Sequence, residues 1–324
     1  MSKPKKNKTN AVLYKEMTID MKRPKIMIIM LLINMFLAPI AFCFFMGIAV
    51  ASFEAALSYR VLAWYLTAMV FVEATLLLFL TPAITAGSIS LEKERQTLDV
   101  LLTTRMTPWE IIKGKYGSDF IFLGLMVIST FPLLAIVFIY GGMSFIQLIY
   151  IGAVLLVFIG FISCFGIFFS ALTKNTIVSV ILTYLFLMIY VSVTFSVPFI
   201  IQGTIASVNA YLYNDKQLFA WITDPHFING DLLMLLGTFN PILMIYDVLG
   251  NTIGYNFSDY YSLKGMISLC GTDFLPHLTE KNILMKLWTP ISMVEMILIS
   301  WGVLRLSAAI LNPVKGKTKE RKRK

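Results

Sequence analysis

The chain has 324 residues, of which 58% are hydrophobic and only 14% are charged, and its formal net charge is +9. Soluble domains are about 45–50% apolar and about 25% charged, so a water-soluble globular protein is excluded. The basic residues gather at the two ends of the chain, which favours contact with anionic lipid headgroups over a nucleic-acid partner. The sequence therefore predicts an all-α polytopic membrane protein.

Residues 1–25 predict a cytoplasmic N-terminus that contains an amphipathic helix. At 11–20, Val12, Met17 and Ile19 alternate with charged side chains, and Pro24 then breaks the helix. Such a helix lies on the inner membrane surface and either orients the first span as an elbow or serves as a plain anchor.

Six apolar blocks are long enough to cross the ~30 Å hydrocarbon core of a bilayer. They cover residues 26–50, 61–87, 120–140, 145–171, 177–201 and 288–311. An even number of spans places both termini on one side, and their Lys and Arg residues predict that this side is the cytoplasm. Residues 312–324 are then a basic cytoplasmic tail. Few basic residues would lie outside; they are Arg60, Lys216, Lys264, Lys281 and Lys286.

Residues 202–287 are predicted to form one large outer loop. The stretch 228–253 is apolar enough to suggest a seventh span, but Asn240, Pro241 and Asp247 interrupt it. A seventh crossing would also put the basic tail outside. Short or re-entrant helices are therefore expected here. His226 and His277 in this loop lack the close spacing of metal ligands, so no metal site is predicted.

The segment after the second span predicts an amphipathic helix over about 88–102. Ser88 or Ser90 can cap its start, and Glu92 and Glu94 favour the positive end of its dipole. The apolar residues that recur on one face are Leu91, Leu98 and Leu102. Such a helix either receives force from a soluble partner or lies on the headgroups. Thr107 and Pro108 then predict a second short helix toward 113–115.

Residues 92–102 read EKERQTLDVLL, and residues 107–115 read TPWEIIKGK. These stretches resemble the signature of ABC type-2 exporter permeases, E-R-E-x-G-T-L-E-x-L-L followed by a Pro and E-I-x-x-G-K. Gln96 stands where a Gly is usual, and the outer loop is long. The resemblance implies a coupling helix that docks on an ATPase subunit. The residues assigned to this coupling are Leu91, Glu92, Glu94, Arg95, Thr97, Leu98, Leu101 and Leu102.

The resemblance further implies an exporter in the plasma membrane, with two copies of an ATPase subunit and a second permease, identical or homologous. The chain has no G-x-x-x-x-G-K-[ST] run, so it is predicted to be non-catalytic and to bind no cofactor itself. ATP and Mg belong to the partner ATPase. The substrate is left open among a lipid, a peptide and a drug-like amphiphile. The alternative is an ion-coupled secondary transporter that works without an ATPase.

Two carboxylates, Glu73 and Glu295, fall inside predicted spans, where an isolated charge is costly and must face protein or water. Each either serves the substrate path or packs through hydrogen bonds. In the fifth span, polar and aromatic residues share one helix face: Ser179, Thr183, Phe186, Tyr190 and Thr194. This stripe either lines the substrate path or bonds neighbouring spans together. The resemblance, which implies that the second and fifth spans meet at a dimer interface, favours the path.

Overall fold

The computed structural model of the chain describes residues 13–14, 24–54, 59–98, 106–139, 144–212, 237–253 and 287–311. The helices are α1 (Pro24–Glu54), α2 (Tyr59–Thr85), α3 (Ser90–Glu94), α4 (Pro108–Ile139), α5 (Phe145–Leu172), α6 (Thr176–Leu212), α7 (Pro241–Ile253) and α8 (Trp288–Ile310). Six of them, α1, α2, α4, α5, α6 and α8, are long and apolar enough to cross a membrane. The predicted all-α, six-span fold is confirmed.

The bundle is built around α5, which packs against α2, α4, α6 and α8. Its buried side chains lie on all sides of the helix, as expected of a helix that is apolar all round. A capping box fixes its start, because Ser144 Oγ accepts from the Gln147 amide at 3.3 Å and Gln147 Oε1 accepts from the Ser144 amide at 2.7 Å.

Two glycines allow neighbouring spans to approach α5 closely. A Cβ atom at Gly166 would overlap the Thr85 hydroxyl in α2, and one at Gly152 would overlap the Phe131 ring in α4. Small residues at membrane helix interfaces permit such backbone proximity. The last turn of α2 is thereby held against α5.

The third span differs from its prediction. Instead of a short helix from Thr107 followed by a span from residue 120, a single helix, α4, runs from Pro108 to Ile139. Its start is as expected: Glu110 accepts from the Thr107 amide at 2.9 Å, and Thr107 accepts from the Glu110 amide at 3.3 Å. The helix continues through Gly117, on which the side chain of Leu13 packs. The remainder of the predicted N-terminal amphipathic helix lies outside the described residues.

The fifth span and the segment after it also differ in extent. Helix α6 continues to Leu212, past the predicted end of the span at residue 201, so it takes in the start of the predicted outer loop. Helix α7 has 13 residues, or roughly 20 Å, which is too short to cross a bilayer. It packs against α5 and α8 with Met244 and Val248 buried, so the choice of a short helix over a seventh span agrees with the structure.

Candidate functional site

The charged segment begins as a tight turn at the end of α2. Ala86, Ile89 and Ser90 are fully buried. The amides of Ile89 and Ser90 both donate to Ser170 Oγ of α5, each at 2.8 Å. The Ser90 hydroxyl donates to the Ala86 carbonyl at 2.8 Å. Buried donors satisfied in this way fix the segment to the bundle rather than leave it on the membrane surface.

The three successive charged side chains of α3 contact three different helices. Glu92 pairs with Lys115 of α4 at 2.7 Å. Lys93 Nζ donates to the carbonyls of Ala171 and Thr173 at the end of α5. Glu94 accepts from the backbone amide and the hydroxyl of Thr176 at the start of α6, both at 2.8 Å. These contacts follow from the helix geometry, since neighbouring residues point about 100° apart.

Helix α3 ends at Glu94, so the predicted continuous helix over 88–102 is wrong. Gln96 has φ 57°, a left-handed conformation. The Thr97 amide donates to the Glu92 carbonyl at 2.9 Å, and the Gln96 amide donates to the Lys93 carbonyl at 3.1 Å. This pair of bonds is the Schellman arrangement, in which the left-handed position is usually glycine.

The break separates residues that were expected to share one face. Leu91 is 41% exposed, whereas Leu98 is 7% exposed and packs in the core of the chain itself. Leu98 is therefore unavailable as an anchor for a partner. Arg95 and Thr97 are exposed, and Leu101 and Leu102 lie outside the described residues.

Glu73 is 3% exposed, at mid-length of α2. Thr130 Oγ1 of α4 donates to Glu73 Oε1 at 2.5 Å and also lies 2.7 Å from the Val127 carbonyl. A small cavity beside the carboxyl is closed by Ile33 of α1 and Met126 of α4, among others. Glu73 therefore faces the interior of this chain and not lipid. Its part in a substrate path stays a prediction.

The stripe on α6 packs inside the chain. Ser179 and Thr183 are fully buried. Further along the stripe, the Phe186 ring lies 4.7 Å from that of Phe165 in α5. The Tyr190 hydroxyl donates to the Phe239 carbonyl at 2.9 Å. In the next turn, Asn240 Nδ2 donates to Thr194 Oγ1 at 3.0 Å. This placement favours bonding between packed helices over the lining of a path.

The other intramembrane carboxylate, Glu295 of α8, accepts from Thr238 Oγ1 at 2.5 Å. Ser292 donates to the Thr238 carbonyl at 2.5 Å, so two residues of α8 hold the chain just before α7. Asp247 of α7 accepts from Thr289 at 2.5 Å. Glu295 thus has a structural partner that fixes α7 to α8.

Sequence reasoning missed the partners of these charges. Thr130 and Ser170 lie inside predicted spans, whereas Lys115 and Thr176 lie just outside them, and none of the four stands at a fixed spacing from its partner. For Thr130 and Ser170 the available signal was their position in a span, where a polar group must find a bond.

A six-span bundle with a buried carboxylate in its second span and a charged segment fixed at one end defines a polytopic α-helical membrane protein. A family model described as ABC-2 family transporter protein matches residues 63–312, from within α2 to just past α8. The chain belongs to this family, and is therefore a non-catalytic membrane-spanning transport subunit, an ABC exporter permease. No curated protein matches the chain.

Proposed function

We propose that the chain forms the translocation path of an ATP-driven exporter and that its segment 88–98 docks on a separate ATPase subunit. Two ATPase copies bind ATP and Mg, and a second permease, identical or homologous, completes the membrane domain. The complex lies in the plasma membrane with both termini of this chain in the cytoplasm. The substrate is an amphiphile: a lipid, a peptide or a drug-like molecule.

The observation that carries this proposal is the rigid mounting of the segment. Glu92, Lys93 and the exposed Glu94 bond it to α4, α5 and α6, and Leu91, Arg95 and Thr97 are exposed as well. An exposed apolar residue beside exposed polar ones suits a protein partner, because the apolar side chain can fill a pocket while the charge fixes the register. A rigid mounting suits force transfer, since a loose segment would move without moving the bundle.

The ATPase must be a separate chain. Neither G-K pair in the sequence completes a phosphate loop. Gly316 and Lys317 lack the upstream glycine, because residue 311 is Leu. Gly114 and Lys115 lie within α4, and Lys115 pairs with Glu92. A phosphate loop needs free backbone amides at a helix N-terminus. Gly114 and Lys115 are in the interior of a helix and do not offer that arrangement.

A second permease has a suitable surface on α6. The face opposite the buried stripe is apolar and exposed along the helix, through Ile177, Ile181, Leu185, Met188 and Val193. In a membrane this face can contact lipid or another chain. The resemblance of the signature supports a second chain there.

The test is purification of the tagged chain in mild detergent from membranes of its own host, followed by photolabelling with azido-ATP and an assay of vanadate-sensitive ATP hydrolysis. We expect the label on a co-purified chain, at a near-stoichiometric ratio, and not on this chain. Leu91→Asp should weaken the association by roughly 100-fold, because a carboxylate forced into an apolar pocket costs about 3 kcal/mol.

Leu172→Asp is the matched control, because Leu172 is a leucine of similar exposure, 52%, at the end of α5. Equal loss of the ATPase in both variants would indicate general damage and contradict docking at Leu91. Transport driven by an ion gradient with ATP absent, and no labelled partner, would instead support a secondary transporter.

A further inference from the structure

Two charged residues of α3 form hydrogen bonds to the ends of neighbouring helices in the same chain. Lys93 and Glu94 are neighbours in α3, and each contacts one side of the short turn that joins α5 to α6. This turn consists of residues 173–175. The two side chains therefore hold both helix ends that the turn connects.

Lys93 supplies donors to the end of α5. Its ammonium group reaches the carbonyls of Ala171 and Thr173, the latter at 3.0 Å, and that of Ser170 at 3.4 Å. The last carbonyls of a helix have no partner within the helix and carry the negative end of its dipole. The Lys93 ammonium group donates hydrogen bonds to these carbonyls, and its positive charge interacts favourably with the negative end of the dipole.

Glu94 supplies hydrogen-bond acceptors to the start of α6. Its two carboxylate oxygens accept from the Thr176 amide and the Thr176 hydroxyl, both at 2.8 Å. The first amides of a helix lack partners and carry the positive end of the dipole. Asn175 caps the next amide, that of Ile177, at 2.9 Å, so Glu94 and Asn175 together satisfy the first two amides of α6.

The remaining contacts place α3 close to the same turn. Ser170 Oγ accepts from two amides at the start of α3, and Ser90 Oγ lies 3.4 Å from Thr176 Oγ1. A Cβ atom at Gly87 would lie 3.6 Å from the Thr176 methyl group. A displacement of α3 therefore cannot occur without a displacement of the α5–α6 turn or the loss of these bonds.

We infer that Lys93 and Glu94 are positioning residues that fasten the docking segment to the α5–α6 turn, so that its displacement is delivered to the fourth and fifth spans. This inference rests on the proposed function. It replaces the sequence-based assignment of Glu94 as an ATPase contact. Glu94 is itself exposed, but both of its carboxylate oxygens accept from Thr176, so the docking contacts are assigned to three other exposed residues, Leu91, Arg95 and Thr97.

The first experiment tests the fastening in the full chain alone, by hydrogen exchange in nanodiscs. Glu94→Ala removes the acceptor of the Thr176 amide, so exchange at Thr176 should become at least ten-fold faster. Glu94→Gln keeps an amide oxygen as acceptor and should show a smaller change. Glu110→Ala removes a comparable cap from α4 and should leave Thr176 unchanged. Equal exchange at Thr176 in the wild type and in Glu94→Ala would overturn the inference.

The second experiment tests transmission in the complex with the co-purified ATPase. A fluorescent label is placed on Ile177→Cys at the start of α6, in a chain whose Cys43, Cys164 and Cys270 are replaced by Ala. In the otherwise unaltered chain we expect ATP with vanadate to change the fluorescence. In Lys93→Met/Glu94→Ala the ATPase should stay bound and hydrolyse ATP within about two-fold of the normal rate. The fluorescence change should fall at least five-fold.

The matched control is Lys113→Met/Glu110→Ala, which removes the same two charges at the same end of the bundle, from exposed positions of α4. It should keep the full fluorescence change. A full change in the Lys93→Met/Glu94→Ala variant would overturn the inference, as would loss of the ATPase from that variant alone, because the two residues would then be docking contacts. Absence of any ATPase from the unaltered chain would refute the proposed function instead, and the exchange result would stand independently.

Discussion

Gln96 occupies a backbone conformation that its side chain disfavours. A left-handed residue other than Gly is strained by about 1 kcal/mol, and Gly is the residue that the related signature has at this position. Gln96→Gly should therefore stabilise the α3 turn by up to about 1 kcal/mol. Gln96→Val should destabilise it, because a branched side chain is poorly tolerated at positive φ.

Hydrogen exchange of the Thr97 amide, which bonds across this turn, measures both changes. Slower exchange in Gln96→Gly and faster exchange in Gln96→Val are expected. If Gln96→Gly exchanged faster than the wild type, the left-handed turn would be wrong and a longer helix would be favoured.

Glu73 and Thr130 form a buried pair whose members depend on each other. Thr130→Val leaves the carboxyl without its hydroxyl partner and should cost about 1–3 kcal/mol of stability. Glu73→Leu/Thr130→Val replaces both polar groups with apolar ones and should return near to wild-type stability, because no polar group is then stranded. Thermal unfolding in nanodiscs is measured for the wild type, for each single variant, Thr130→Val and Glu73→Leu, and for the double variant. These four values form a double-mutant cycle, which gives the coupling energy between Glu73 and Thr130.

Transport by the double variant decides what the carboxyl is for. Retained transport assigns Glu73 to packing, whereas lost transport in a stable protein assigns it to the substrate path. Additive effects of the two single changes would contradict the direct bond between them.

At the level of single residues, the sequence did not indicate what the charged side chains contact. Glu92 and Glu94 were assigned to ATPase coupling, whereas the structure gives each of them a partner within the chain itself. Leu98 fits the apolar stripe of a helix only if the helix is continuous. The Schellman turn at Gln96, with no Gly to indicate it, changes the face on which Leu98 lies.

Among the elements, the contact between α2 and α5 depends on Gly166. Gly166→Ala would force its methyl group against the Thr85 hydroxyl, so it should destabilise the chain by about 1–3 kcal/mol. Gly302→Ala in α8 is the matched control, because nothing lies within 4 Å of its Cβ position. This change should be neutral or stabilising by up to about 1 kcal/mol.

Melting temperatures of the two variants in the same lipid provide the comparison. Equal melting temperatures for Gly166→Ala and Gly302→Ala would mean that α2 and α5 are further apart than described. A melting temperature of Gly302→Ala below that of the wild type would mean that another part of the chain lies closer to α8 at Gly302 than described.

Element boundaries were predictable where the signal was local. The Thr107–Pro108 start and the Asn240–Pro241 start both carry capping residues, and the structure begins helices there. Ends were less predictable, as α6 continues past both Pro198 and Gly203 to Leu212. Helix α4 continues through Gly114 and Gly117, and at Gly117 it packs against Leu13, a contact between distant parts of the chain that no local pattern records.

In the whole molecule, α5 is central while α1 and α6 are peripheral. Both peripheral helices expose apolar side chains, such as Leu31 and Met35 of α1 and Ile181 and Met188 of α6. Only lipid or another membrane protein can cover such surfaces without cost. The α3 segment lies at the charged end of the bundle and is bonded to α6 through Glu94. Helix α6 therefore connects this segment to the apolar surface on which a second permease can pack.

The orientation of this bundle is a prediction from its charges, and it determines whether the proposed coupling can operate. The Lys and Arg residues of the two tails and of the 88–119 segment predict that the α3 end is cytoplasmic, with Cys270 on the outer side. ATP is available only inside the cell, so a docking segment on the other face would have no ATPase to meet.

A membrane-impermeant maleimide distinguishes the two orientations in intact cells. With Cys43 and Cys164 replaced by Ala, Cys270 should react without permeabilisation. In a chain that lacks all three native cysteines, Lys113→Cys at the exposed start of α4 should react only after permeabilisation. Lys264→Cys, in the same predicted loop as Cys270, covers the case in which the native thiol is shielded. Reaction of position 113 from outside would invert the topology. The charged segment would then lie away from ATP, and both the ATPase-docking role and the transmission through Lys93 and Glu94 would be excluded together.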